Sequence, residues 1–340
     1  MIEPGMTRST GGPAATVTWD DDVEAVVRGD LTAALAYVTP AGGVVVTAVA
    51  PVGCSDRETG RLGFTTSLGL SKKLQRICAD PRIALAFHSR LHGFATDPMF
   101  VLGQGLADVD LTPSRQRLLT VAEAAERYVG PITRGRLWDR YLHEYYLERV
   151  VVDVAVRRMQ SWSDRWARSD HRVAGLAPAA PAPPQEPPAR GTSPRVDINR
   201  LAARVSKLPH RLLAYRGADG YPVVVPLQIT GHGAAGLRLQ AADGLLPSGG
   251  RRAGLLAHAY HPQLVGLSSR TMTGWLDVGE DGGATYAPHT AKGWTVPPSK
   301  PLILVANGML AKIGYRRAVR AGVLQELQAL QQQAGGRDIG

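Results

Sequence analysis

Along most of this 340-residue chain, apolar residues fall in short runs divided by glycine, proline and aspartate. Runs of that length with turn residues between them predict strands, and only a few stretches carry the spacing of an amphipathic helix. In the first half the pattern predicts a hairpin whose arms hold Leu35-Ala36-Tyr37 and Val45-Val46 around the turn Pro40-Ala41-Gly42-Gly43. It continues with a strand over 61–66, a helix over 71–79, and strands over 83–88, 100–109 and 150–162. Inserted helices are expected over 113–127 and 136–150. Five or six strands around one short central helix, without alternating long helices, point to an antiparallel barrel instead of a βαβ sheet. The fold class is therefore mainly β with inserted helices.

The pattern then repeats. Leu35-Ala36-Tyr37, Gly42 and Val45-Val46 recur as Leu213-Ala214-Tyr215, Gly220 and Val223-Val224, with Asp219-Gly220 supplying the turn. Further echoes are expected between Lys72-Lys73 and Arg251-Arg252, between Asp80-Pro81 and His261-Pro262, and between residues 105–109 and 274–278. Seven prolines between Pro178 and Pro194 make a semi-extended linker. The expected domains are a first barrel at 1–172, a linker at 173–196, and a degenerate second barrel at 197–340. The second is expected to end in a helix over 318–333, where Val323, Leu324, Leu327 and Leu330 share a face.

Composition narrows this reading. With 44% apolar and 20% charged residues the chain is neither disordered nor fibrous. No apolar run reaches the length of a membrane span, and the start carries Asp20-Asp21-Asp22 where a leader would be basic and then apolar, so a cytoplasmic protein is expected. Cys54 and Cys78 form no C-x-x-C pair and read as ordinary thiols. The net charge of +10 lies wholly from Arg190 onward, which suits an anionic partner such as a polyanionic cofactor or anionic lipid; nucleic acid is not the expected one.

The most informative stretch is Thr65-Thr66 at a strand end followed by Ser71-Lys72-Lys73 at a helix start. Hydroxyls, first-turn N–H groups and two cations form a phosphate-binding set. A solvated helix has no reason to place two lysines against the positive end of its dipole.

From Ser71 to Phe87 the sequence resembles the pyridoxamine 5′-phosphate oxidase-like superfamily of split β-barrels. Shared features are the Gly63-Phe64 strand with its threonines, Ser71-Lys72-Lys73, Ile77 four residues later, and Asp80-Pro81-Arg82. The resemblance implies that Thr66, Ser71, Lys72 and Lys73 hold a flavin phosphate, with Arg61 and Thr65 near the ring or ribityl chain. It also implies a tandem pseudo-dimer within one chain, which could pair again as a homodimer. Lys72 stands where the oxidase has arginine, which keeps the charge and loses bidentate geometry. Arg158-Met159-Gln160-Ser161-Trp162 resembles the last barrel strand, with Trp162 beside the flavin. Arg168 and Arg172 fall where the oxidase carries its substrate and flavin arginines, while Asp170 replaces the substrate histidine.

The implied activity is an oxidoreductase that exchanges hydride between FMN and a small-molecule organic substrate, with no catalytic acid or base evident. The deazaflavin F-420 is the rival cofactor. A second reading is haem binding or degradation, with His289 as the candidate ligand; a third is a non-catalytic cofactor module whose basic half binds a partner. His88, His92, His258 and His261 show no recognised zinc spacing, and no metal is expected. Gly103-x-Gly105 lacks the third glycine of a dinucleotide loop.

Overall fold

The computed structural model describes residues 16–51, 53–131, 135, 148–296 and 299–335. The first half contains α1 (Asp21–Gly29), β1 (Ala33–Val38), β2 (Val44–Val49) and β3 (Arg61–Ser67). A 3-10 turn (Leu68–Leu70) leads into α2 (Ser71–Ala79), β4 (Arg82–Phe87), β5 (Phe100–Asp110), α3 (Arg115–Val129), β6 (Arg149–Trp162) and β7 (Arg172–Gly175). The second half contains α4 (Ile198–Val205), β8 (His210–Arg216), β9 (Pro222–Pro226), β10 (Gln228–Gly233), β11 (Gly236–Gln240), β12 (Gly249–Ala259), β13 (Ser268–Val278) and β14 (Ala284–Thr295). Helices α5 (Lys300–Arg320) and α6 (Val323–Gly335) follow.

Two antiparallel sheets result. The first runs β2-β1-β4-β5-β6-β3, with β7 on β6; the second, read from its far end, runs β9-β8-β12-β13-β14-β11-β10. The first six strands of each order match, with β10 added to the second sheet and β7 to the first, and each sheet stays open between its ends, so the molecule is a tandem of split barrels. Each sheet curls around its own core, with Leu35, Leu62, Phe64 and Leu85 in the first and Leu213, Leu237, Leu255 and Tyr286 in the second.

Register aligns the halves residue by residue. Ile83 pairs with Gly105 and Ala253 with Gly274, so Arg82 corresponds to Arg252 and His88 to His258. Both β5 and β13 shift register at that glycine against the last long strand. A Cβ at Gly105 would collide with the Ala155 carbonyl, and one at Gly274 with the Ala287 carbonyl. The same bulge therefore forces glycine at the same place in both copies. Two expected echoes are corrected: Lys72-Lys73 lie on α2, whereas Arg251-Arg252 lie in β12, the counterpart of β4, and His261-Pro262 follow β12 whereas Asp80-Pro81 precede β4.

The halves meet through the outer faces of β1, β2 and β4 against those of β8, β9 and β12. Ala34, Ala36, Val44, Val46, Ala84 and Ala86 pack with Leu212, Ala214, Val224 and Leu256. In β1 the larger Leu35 and Tyr37 point into the barrel and the small alanines point at the partner half. Both faces are buried, so the strand shows a continuous apolar run without alternation. Contacts are reciprocal: the hairpin at Gly43 meets Arg252, and the hairpin at Gly220 meets Arg82. An isologous interface of this kind is what a pseudo-twofold requires.

Three further expectations change. The C-terminal helix is two helices, and Ala318, Val323 and Leu327 complete the core of the first half, not that of the second. The linker is no free spacer: Ala182 is buried, Gln185 Nε2 donates to the Gly42 carbonyl (3.0 Å) and Gln185 Oε1 accepts from the Arg252 N–H (3.0 Å). The second inserted helix falls mostly outside the described residues, and β6 has begun by Arg149. Among the described residues no helix is long and apolar enough to cross a membrane.

Candidate functional site

Helix α2 begins where β3 ends, which brings the predicted phosphate residues to one corner. Thr66 is buried and its Oγ1 has no hydrogen-bond partner. Two residues earlier on the same strand face, Phe64 lies 5.5 Å beneath the Lys73 ammonium. Burial, reinforced by the neighbouring Arg149 charge, pushes the Lys73 amine down to about 7. No carboxylate lies within ion-pair distance of it among the described residues. Ser71 opens the helix half-buried, Lys72 is exposed, and Thr65 accepts a hydrogen bond from Arg149 Nε at 2.8 Å. A half-buried cation and an orphaned hydroxyl beside a helix amino terminus fit a phosphate.

The other predicted residues lie elsewhere. Arg61 is exposed at the opposite end of β3, opposite Ala155. Along β6, Val150 pairs with Thr66 whereas Trp162 pairs with Phe100, a separation of about 40 Å of extended strand. Arg172 forms ion pairs with Asp20 (3.0 Å) and Asp22 (2.5 Å) on the surface. Within one barrel, therefore, the phosphate corner and the Trp162 end are far apart.

The Trp162 end forms a cleft of about 460 Å³ between the halves. Its walls come from β5 and β6, the loop after Trp162, the linker residues 178–182, β8, β9 and the segment before β12; Arg168 lines it. The Trp162 indole stacks on His171 with ring centres 4.5 Å apart and planes 9° from parallel. The loop that presents His171 is held by Asp164, which accepts from the N–H groups of Trp166, Arg168 and Ser169. It passes through left-handed backbone at Ala167 and Asp170, strain of the sort found where a side chain is aimed.

A polar chain forms the floor. His171 Nε2 donates to Gln160 Oε1 (3.1 Å), Gln160 Nε2 to Gln104 Oε1 (3.1 Å), and Arg158 to Gln104 Oε1 (2.9 Å) and Asp219 (2.8 Å). Gln104 Nε2 reaches the Pro222 carbonyl of the other half at 2.7 Å. Sequence reasoning placed Arg158 and Gln160 in the last barrel strand but missed Gln104 and the partnership with Asp219, because only the tertiary structure sets two glutamines and an arginine from adjacent strands against the second half.

It also missed Trp294. Ser269 stands five residues before Gly274 as Phe100 stands before Gly105, and Ser269 pairs with Trp294 as Phe100 pairs with Trp162. Trp294 is thus the second-half counterpart of Trp162, though exposed. The strand that pairs with it, β13, packs against β2 of the first half. The signal was present in the Gly105/Gly274 register, but the insertion carrying α3 exists in only one copy and hides it. The Tyr pair obeys the same symmetry: the Arg76 charge of α2 acts on the Tyr37 hydroxyl, and Tyr215 donates to the Leu245 carbonyl at 2.9 Å. In the second half a non-helical segment holding Asp243 and Pro247 replaces α2. His289 is half-buried with Nε2 directed at the Thr192 carbonyl (3.4 Å).

No family model matches the chain, and no curated protein matches it. Among solved structures it is similar to a pyridoxamine 5′-phosphate oxidase-related, FMN-binding protein from Nostoc punctiforme, at 10% identity and a TM-score of 0.28, covering 44% of this chain and 87% of that one. The chain resembles such proteins over one half at a time. A conserved hypothetical protein from Mycobacterium tuberculosis aligns at 23% identity and TM-score 0.33, covering 45% and 89%. A haem-binding protein from Mycobacterium smegmatis aligns at 16% identity and TM-score 0.29, covering 88% of this chain and 100% of that one. The fold itself rests on the strand order and register described above.

Proposed function

We propose that the chain binds a flavin-type cofactor between its two halves and uses it as an oxidoreductase on a small organic substrate. The observation that carries this reading is the phosphate corner: half-buried Lys73, its ammonium over the Phe64 ring and with no carboxylate in ion-pair distance among the described residues, follows closely on the strand end that holds the unpaired Thr66 hydroxyl. Thr66 and Ser71 would donate to phosphate oxygens, Lys73 and Lys72 would neutralise them, and the first-turn N–H groups of α2 would add to the field. Trp294 of the second half would cover the ring. When bound, such a cofactor supplies hydride exchange; the protein supplies anchorage, orientation and exclusion of water, consistent with a site that lacks an evident acid or base.

FMN is the first choice and the deazaflavin F-420 the alternative, since Lys292 and the basic second half suit its anionic tail. Haem is the second reading. It draws on the Trp162 cleft, where His171 and the cations Arg158 and Arg168 converge, more than on His289, whose Nε2 faces a backbone carbonyl. Absorbance of protein purified from its own host separates these, with bands near ~450 nm for flavin, ~420 nm for deazaflavin and a Soret band for haem, because the cofactor carries the chemistry. A haem spectrum, or a colourless protein that takes up neither FMN nor F-420, overturns the proposal. Tight cofactor binding without reduction by any donor favours a non-catalytic module.

A further inference from the structure

Helix α5 carries large apolar side chains on the wrong side. Its inward positions are small: Gly308 and Ala318 are buried, and Gly314 lies against Gly69 of the 3-10 turn. Its outward face holds Leu302, Val305, Met309, Leu310 and Ile313, each at least two-fifths exposed. Half of the large exposed apolar side chains among the described residues belong to this one helix. A contiguous apolar face of this kind marks a contact surface.

Charge identifies the partner. The helix contains Lys300, Lys312, Arg316, Arg317 and Arg320 and no acidic residue. At 100° per residue, Arg316 and Arg320 continue the stripe of Leu302, Met309 and Ile313, with Arg317 at its flank. All three arginines are exposed, with no ion pair among the described residues. The α5 of a second copy would offer these arginines no compensating carboxylate, since the helix has none. An anionic lipid surface satisfies both halves of the pattern, since the apolar stripe enters the acyl boundary and the arginines meet headgroup phosphates. The excess charge of the whole second half has the same sign, so the field that attracts such a surface reaches beyond the helix.

We infer that α5 docks this protein peripherally on anionic membranes, through an apolar stripe from Leu302 to Ile313 and an arginine cluster at Arg316, Arg317 and Arg320. The test is co-sedimentation of the full chain with vesicles of phosphatidylglycerol and phosphatidylcholine against vesicles of phosphatidylcholine alone. Binding is expected to the anionic vesicles only, and to fall in about 0.5 M salt, where the Debye length is a few ångströms. Met309→Ser with Ile313→Ser should release the protein at an unchanged melting temperature. Replacing Arg316, Arg317 and Arg320 with Gln should weaken partitioning by about fivefold per arginine, independently of the apolar change. Equal recovery with both vesicle types, or anionic binding that survives both variants, overturns the inference. So does a stable dimer in light scattering that Ile313→Glu dissociates, which would make the stripe an interface between copies.

Discussion

Lys73 is costly to bury, and that cost gives the sharpest single-residue test. Replacing it with Ala removes one charge-assisted contact and is expected to weaken FMN or F-420 binding by about 1.5 to 3 kcal/mol, roughly tenfold to a hundredfold, in a fluorescence or calorimetric titration. Unchanged affinity would remove the phosphate corner from the proposal. A second residue-scale device sits on the pseudo-twofold, where His258 Nε2 meets His88 Nε2 at 2.7 Å. His88 Nδ1 donates to the Ala86 carbonyl, so His88 Nε2 is the acceptor, His258 Nε2 the donor, and His258 Nδ1 is left buried without a partner. Nearby, Tyr260 donates to Ser89 Oγ (2.7 Å), which in turn contacts His210 Nε2 (3.2 Å).

Burial, with the neighbouring rings, lowers His88 to about 3 and His258 well below its usual value, and burial with the Arg165 charge lowers His210 to about 4. A histidine depressed in the folded state binds its proton first in the unfolded state, so stability is lost as pH falls below about 6.5. Asp30, raised to about 7 by burial against the opposing pull of Arg90, works in the other direction with a single proton. The net expectation is that urea midpoints fall between pH 7.5 and 5, and that His258→Gln flattens the dependence. An unchanged slope in that variant would show that the pair does not govern it.

Among the elements, the paired bulges admit a direct check. Gly105→Ala and Gly274→Ala each drive a Cβ into a carbonyl of the neighbouring strand, and each is expected to cost about 2 to 4 kcal/mol in denaturant unfolding, as overpacking against rigid backbone does. A cost below about 1 kcal/mol at either would mean that the ladder relaxes there. Element boundaries were largely legible. The residues 71–79 expected as a helix and the strands near 61–66, 100–109 and 150–162 stand within a residue or two of the observed elements, because caps, turn glycines and apolar spacing are local signals. The pairing of Lys72-Lys73 with Arg251-Arg252 was misread because both are adjacent cations, and only register shows one pair on a helix and the other in a strand.

For the whole molecule, the interface between halves is built from alanine and valine faces that would be exposed in an isolated barrel. The segment 1–172 alone would also lose Ala318, Val323 and Leu327 from its core. It is expected to melt at least several degrees lower than the full chain, or to self-associate through β1, β2 and β4, since removing buried apolar area costs about 25 cal/mol per Å². Equal melting and a monomeric fragment would argue that the halves are independent.

The amino-acid order by itself determined the main strands of the first half, α2, the duplicated hairpin and the closeness along the chain of Thr66, Ser71, Lys72 and Lys73, since each depends on neighbours within a few residues. Only the tertiary structure decided which half α5 and α6 complete, that Gln185 pins the linker between the barrels, that Trp294 mirrors Trp162, and that His88 meets His258. Those facts depend on which faces are buried against each other. Side-chain size toward the partner half and strand register set them, and neither is written in any one stretch of chain.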